Sequence, residues 1–204
     1  MGAMRLVIAT GNAGKLKELR ELLAPPAFDV LPQSQFTSVS VDETGLSFIE
    51  NAILKARHAA AASGLPAIAD DSGLEVDVLD GAPGIYSARY AGEGASDEAN
   101  LRKLLATLKD VPPVQRTARY QCALVFMRSA RDPSPLICQA SWEGRIIDTP
   151  RGSGGFGYDP IFELLDRTVT VAELPAAEKN LLSHRGKALR GLVAQLREKF
   201  PAGS

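Results

Sequence analysis

Two adjacent carboxylates, Asp70 and Asp71, close a short apolar run, Ala67-Ile-Ala69, and are followed by Ser72 and Gly73. A carboxylate can orient or deprotonate a water, and with a second acidic group it can hold a hard divalent cation. Side chains alternate along an extended chain, so Asp70 and Asp71 are expected on opposite faces of a strand end. In open α/β sheets ligands bind just beyond such ends. Asp-Asp-Ser-Gly is equally the composition of an ordinary turn. A second acidic pair, Asp42 and Glu43, lies in an irregular polar stretch. Mg²⁺ is held by one or two carboxylates plus phosphate and water oxygens, so Asp71 with either of that pair would suffice.

Other segments suit phosphate. Thr10, Gly11, Asn12, Ala13, Gly14 and Lys15 join a strand-like run to a helical one. Glycines let the backbone approach an anion, the helix start offers N–H groups, and Lys15 adds a point charge. The spacing is not that of a Walker A loop. Lys55 falls on one helical stripe with Asn51 and His58, and Ser72 carries a hydroxyl beside the acidic pair. His58 has no further context and is expected to be solvated.

The stretch Gly154-Gly-Phe156-Gly157-Tyr158-Asp159 is poor strand material, because glycine weakens strands. Glycines around an aromatic suit a backbone lying close to a planar ligand, with Phe156 stacked on it and Asp159 accepting from ring or sugar groups. Lys179, His184 and Arg185 bring donors to the start of the last helical segment. A helix start favours acceptor oxygens on a ligand.

The elements that must position these groups alternate in type. Arg5–Thr10 is a strand, and a helix with Leu16, Leu19, Leu22 and Leu23 follows, ended by Pro25 and Pro26. Phe28–Leu31 is a short strand. Ser47 and Glu50 form a capping box for a helix whose apolar face is Ile49, Ala52, Ile53, Ala56 and Ala60. Leu74–Leu79 alternates as a separate half-exposed strand. A helix starts at Ser96 and is ended by Pro112-Pro113; Thr117–Met127 and Leu136–Trp142 pair as strands, and Arg145–Asp148 is a third. The last helix runs to Phe200. The order predicts a mixed α/β fold in one domain over residues 1–204, with two lobes around a cleft.

Composition narrows the classes. Of 204 residues, 45% are hydrophobic and 23% charged, ordinary for a globular chain. A formal net charge of −1 gives no basic field for nucleic acid, so an anion must be captured locally. No segment approaches a membrane span and the start lacks a secretory pattern, so the protein is expected to be cytoplasmic and off the membrane. Cys122 and Cys138 sit in apolar strands and are expected to be buried free thiols; two cysteines and two histidines, dispersed, do not suggest zinc.

Taken together, the chain resembles the inosine/xanthosine triphosphate pyrophosphatase family, enzymes that clear deaminated purine nucleotides from the pool. The resemblance is carried by Thr10–Lys15, Glu43–Ala52, Ala69–Leu74, Gly81–Arg89, Gly155–Pro160 and Ser183–Gly186, in the family's order. It implies a two-lobed α/β fold with a central nucleotide-binding cleft, a homodimer and Mg²⁺. It implies hydrolysis of dITP, ITP or XTP to the monophosphate and pyrophosphate. Carried onto this sequence, Thr10–Lys15, Lys55 and Ser72 would hold the triphosphate. Asp71 would be metal ligand and general base, supported by Asp70, with Glu43 favoured over Asp42 as the second ligand. Phe156, Gly157, Tyr158, Asp159, Lys179, His184 and Arg185 would bind the nucleoside.

The chemistry is coherent without the resemblance. Phosphoryl transfer needs positioning and charge neutralisation more than covalent help. Hypoxanthine and xanthine present an oxygen at position 6 where adenine carries an amino group. Donors placed there, for which His184 and Arg185 are candidates, would be left unpaired by adenine. Two other readings stay open from sequence: a pyrophosphatase for modified pyrimidine triphosphates, and a nucleotide or RNA-binding module without hydrolysis. The acidic centre and near-neutral charge weigh against the second.

Overall fold

The computed structural model describes residues 3–23 and 28–200. Pro25 and Pro26, expected to end the first helix, lie outside the described residues, as does the Met1-Gly2 start. Strands β1 (Met4–Ala9), β2 (Phe28–Pro32), β3 (Ala67–Val76), β4 (Thr117–Met127), β5 (Leu136–Ile146) and β6 (Phe162–Leu164) form one mixed sheet. Their hydrogen-bonded order is β2-β1-β3-β4-β5-β6. β1 pairs in parallel with β2 and with β3, where Val7 lies opposite Ala67, whereas β5 and β6 are antiparallel. Leu6, Val7, Ile8 and Ala9 are all fully or almost fully buried, as in a parallel strand covered on both faces.

The helices are α1 (Ala13–Leu22), α2 (Phe48–Ser63), α3 (Asp97–Thr107), α4 (Ala176–Leu182) and α5 (His184–Lys199). The start of α2 is set as expected. Ser47 Oγ accepts from the Glu50 N–H, and the Glu50 carboxylate takes the Ser47 hydroxyl and the Leu46 N–H. At its other end Gly64 adopts φ 67°, the left-handed cap that glycine favours.

The chain divides into two compact units. The first comprises the chain up to Asp71, Cys122–Ala140 and the chain from Arg185 onward. Its core includes Leu6, Ile8, Leu19, Ile68, Leu124, Phe126, Leu189 and Leu192. The second comprises Ser72–Gln121 and Ser141–His184, with a core that includes Leu74, Val76, Leu104, Trp142, Ile161 and Phe162. Cys122 and Cys138 are buried free thiols, as expected.

Several boundaries depart from the sequence-based expectation. β3 does not stop at the acidic pair: it runs through Asp70, Asp71, Ser72 and Gly73 to Val76, so no separate strand begins at Leu74. β5 absorbs the expected third strand through Ile146. α3 ends at Thr107, well before the prolines, and Lys179 belongs to its own short helix, α4. His58 is not simply solvated, because its Nε2 lies 2.9 Å from the Val39 carbonyl.

Candidate active site

In the first unit, two acidic side chains in the middle of a buried strand are tolerated because each meets cations. Asp70 is 1% exposed. Its Oδ1 lies 2.6 Å from Lys15 Nζ, and its Oδ2 accepts from Arg185 Nε at 2.9 Å and from the Cys122 thiol at 3.2 Å. Burial alone would raise its carboxyl; Arg185 and Lys15 outweigh that and hold it well below the ordinary carboxylate range. The Cys122 thiol is pushed well up by burial and by Asp70, which makes it a neutral donor. Arg185 is also ion-paired to Glu18 of α1. Glu18 and Cys122 were absent from the sequence-based site. Glu18 sits three residues after Lys15, hence on the same helical face, the one signal that points to it.

Asp71 has different side-chain partners. Its Oδ1 accepts from Lys55 Nζ at 2.6 Å, and the same ammonium lies 2.8 Å from Glu43 Oε1 and 3.1 Å from the Asp70 carbonyl oxygen. The other oxygen, Oδ2, is buried without a hydrogen-bond partner. Burial pushes the Asp71 carboxyl up, and Lys55 and Lys15 offset only part of that. Lys55 itself, which burial would lower, is raised because Asp71 and Glu43 outweigh it. Asp42 is exposed, whereas Glu43 is half-buried against Lys55. Asn51, expected on a polar stripe, is fully buried; its Oδ1 accepts from the Gly45 N–H at 2.8 Å and ties the Glu43 loop to α2.

The Thr10–Lys15 turn has the expected form. Asn12 caps α1 by accepting from the Lys15 N–H at 3.0 Å, and Thr10 Oγ1 accepts from the Asn12 N–H at 3.1 Å. Ala13 and Gly14 open the helix. A side chain at Gly11 would meet nothing within 4 Å, so the backbone there is open to approach. Ser72, next to Asp71 in β3, is half-buried.

The second unit holds the glycine-rich stretch. Asp159 is 4% exposed and is a hub rather than an open acceptor. Its Oδ1 accepts from the Tyr120 hydroxyl at 3.0 Å; its Oδ2 accepts from Lys179 Nζ at 2.7 Å and the Phe156 N–H at 3.0 Å. Lys179 Nζ lies 4.6 Å from the Phe156 ring centroid, a cation–π distance. The Gly157 N–H donates to Asp97 at 2.8 Å, and the Tyr158 hydroxyl donates to the Ser87 carbonyl at 2.8 Å. Burial, then Tyr90 and Asp97, push the Tyr158 hydroxyl up, so it stays a neutral donor. His184 stacks on Tyr120 with ring centroids 4.8 Å apart and planes 14° from parallel.

The glycines have a different explanation from the expected one. A Cβ at Gly155 would lie 2.0 Å from Asp159 Oδ2, and one at Gly152 or Gly154 would meet the Ala172 backbone below 3.0 Å. Close approach here is to the protein itself. Only at Gly157 is the space within 4 Å open. Tyr120 and Asp97 were not anticipated; a tyrosine inside a strand carries no sequence signal beyond core packing.

The donor set fits a hard divalent cation on one observation: a buried carboxylate oxygen of Asp71 lacks a partner, with Glu43 sharing its lysine. Among the described residues no group of three or more His, Cys, Asp or Glu side chains is arranged as a complete metal cage. A cation there would draw further oxygens from nucleotide and water.

Comparison with known proteins agrees with this assembly. A model of the Ham1 family matches residues 6–195. A protein named dITP/XTP pyrophosphatase from Thioalkalivibrio sulfidiphilus is 61% identical over 193 residues, 95% of this chain and 98% of that one. Another of that name, from Escherichia coli O157:H7, is 60% identical over 193 residues, again 95% and 98% of the two chains. The solved structure of a HAM1 protein from Coxiella burnetii matches with a TM-score of 0.88 at 47% identity, covering 96% of this chain and 99% of that one. The likeness extends across both units and every element that carries the acidic pair, the phosphate turn and the glycine-rich stretch: the chain belongs to the Ham1 family.

Proposed function

We propose that this protein hydrolyses the α–β phosphoanhydride of deaminated purine nucleoside triphosphates, dITP, ITP and XTP, to the monophosphate and pyrophosphate. The observation that carries the reading is Asp71: a carboxylate raised by burial, one oxygen fixed by Lys55 and the other without a protein partner. A carboxylate raised above its ordinary value accepts a proton from water more readily than an ordinary one. The names of the relatives support the substrate class.

Thr10–Lys15 and Ser72 bind the triphosphate, with Gly11 open to close approach. Lys15 and Lys55 neutralise its charge while Asp70 and Asp71 keep them in place. Mg²⁺ would be held by Asp71 and Glu43, Asp42 being the less favoured second ligand, and it would supply charge neutralisation on the phosphate oxygens. Asp71 accepts the proton of the attacking water. Phe156 stacks on the base, Gly157, Tyr158 and Asp159 frame it, and Lys179, His184 and Arg185 address its acceptors. With adenine the donors aimed at position 6 would lose their acceptor, which can reject by about 10⁴–10⁵. The reading includes a homodimer and a cytoplasmic site of action.

The test is incubation with Mg²⁺ and a panel of ITP, dITP, XTP, ATP, GTP and modified pyrimidine triphosphates, assaying pyrophosphate against orthophosphate. Pyrophosphate from the deaminated purines and little from ATP is expected. Orthophosphate alone, or no release, would overturn the reading; sedimentation of the purified protein checks the dimer.

A further inference from the structure

Tyr120 joins two groups that are distant in the chain. Its hydroxyl donates to Asp159 Oδ1 at 3.0 Å, and its ring lies nearly flat on His184, centroids 4.8 Å apart. The other Asp159 oxygen holds Lys179 and the Phe156 N–H, so the carboxylate orients both. The Tyr120 ring is itself backed by Phe162, with centroids 4.5 Å apart, and is 8% exposed. We propose that Tyr120 is a positioning residue for base selection: its hydroxyl fixes Asp159, and through it Lys179 and Phe156, while its ring fixes the plane of His184. The assignment rests on the nucleotide reading above.

Burial is what gives the arrangement leverage. An exposed hydroxyl lost from a carboxylate is replaced by water, whereas a buried carboxylate oxygen left without its donor is not. Asp159 would then relax toward its remaining donors and carry Lys179 and Phe156 with it. The flat Tyr120 ring beside His184 opposes a rotamer change of that side chain, and such an aromatic pair adds to burial alone. Its hydroxyl and ring act on Asp159 and His184, both in the nucleoside-binding group, so its loss should act on substrate affinity and choice rather than on the chemical step.

Two variants separate the two contacts: Tyr120→Phe removes the hydroxyl, and Tyr120→Leu removes the ring. The first should raise KM for ITP about fivefold, the usual scale for one hydrogen bond, with kcat within twofold. The second should raise it about tenfold or more and narrow the preference for ITP over ATP. The stack also has a signature that needs no substrate. His58 and His184 are the two histidines of the chain, so His58→Gln assigns their NMR signals. The His184 ring protons should lie upfield in the wild type and in Tyr120→Phe, and return in Tyr120→Leu. Should the leucine variant fail to fold by thermal melting, the wild-type spectrum and the phenylalanine kinetics decide alone. An unshifted His184 in the wild type, or an active enzyme whose variants keep the wild-type KM and ITP/ATP preference, overturns the role of Tyr120 only. A wild type that releases no pyrophosphate from ITP overturns the nucleotide reading and this assignment with it.

Discussion

Adjacent aspartates in one strand have opposite characters here, and the cause is how directly cations contact each, with Glu43 opposing them at Asp71. Asp70 has Lys15 and Arg185 on its two oxygens and is held well down, whereas Asp71 shares one lysine with Glu43 and is pushed up by burial. The two should therefore fail differently. Asp71→Asn should lower turnover by about 10²–10⁴-fold, the scale of a general base. Its melting temperature should stay within a few degrees, because a carboxyl that burial already disfavours as an anion is replaced by a neutral isostere. Near-wild-type pyrophosphate release from that variant would remove Asp71 from the role of base. Asp70→Asn leaves Arg185 and Lys15 facing a neutral amide in a buried setting. Breaking a buried pair in this way typically costs about 3–5 kcal/mol. Urea denaturation should show a drop of that order for Asp70→Asn and much less for Asp71→Asn; equal drops would refute the contrast.

At the scale of elements, legibility followed how local the cause was. Thr117–Met127 is a strand at the expected bounds, and α2 starts where Ser47 and Glu50 say it should, since alternation and capping are written within a few residues. β3 was cut short because Asp-Asp-Ser-Gly has turn composition. What keeps it extended is Lys15, Lys55 and Arg185, and no window around Asp70 contains them. The same holds for Glu18, Cys122 and Tyr120, whose partners lie far off in sequence. The glycine-rich stretch was legible as unusual, but not as a frame for Asp159. Gly155→Ala tests that frame: φ is 73° and the added Cβ would lie 2.0 Å from the Asp159 carboxylate. A loss of about 1–3 kcal/mol in stability is expected, with KM for ITP raised more than kcat is lowered. Gly157→Ala, equally left-handed at φ 64° but in open space, should lose only the smaller backbone strain. If the two variants behaved alike in KM, contact with Asp159 would not be what glycine serves at position 155.

For the whole molecule, the titration of its paired carboxylates sets how stability responds to acid. Asp132 is the best-placed case outside the acidic centre: the Arg128 side chain and the Arg128 and Ser134 N–H groups bind it, and its side chain is almost fully buried in the first unit. In the second unit Glu163 is held down despite burial by Arg145 and Arg151, and Asp77 by Arg119 and Thr117. Each is depressed in the folded state, chiefly for Asp132 by its hydrogen bond to Arg128. A depressed carboxyl binds fewer protons folded than unfolded, so its contribution is complete above the unfolded value, near 4, and is lost as pH falls toward the folded one. Melting temperature should therefore hold from pH 7 to about 5 and fall steeply below about 4. Asp132→Asn isolates one term of this. It should cost about 1–2 kcal/mol at neutral pH, discounted because Arg128 is half-exposed, and the gap to wild type should narrow progressively as pH falls from about 4 toward 2. A gap that stayed constant across that range would mean that Asp132 stabilises its turn by geometry alone and not by its charge.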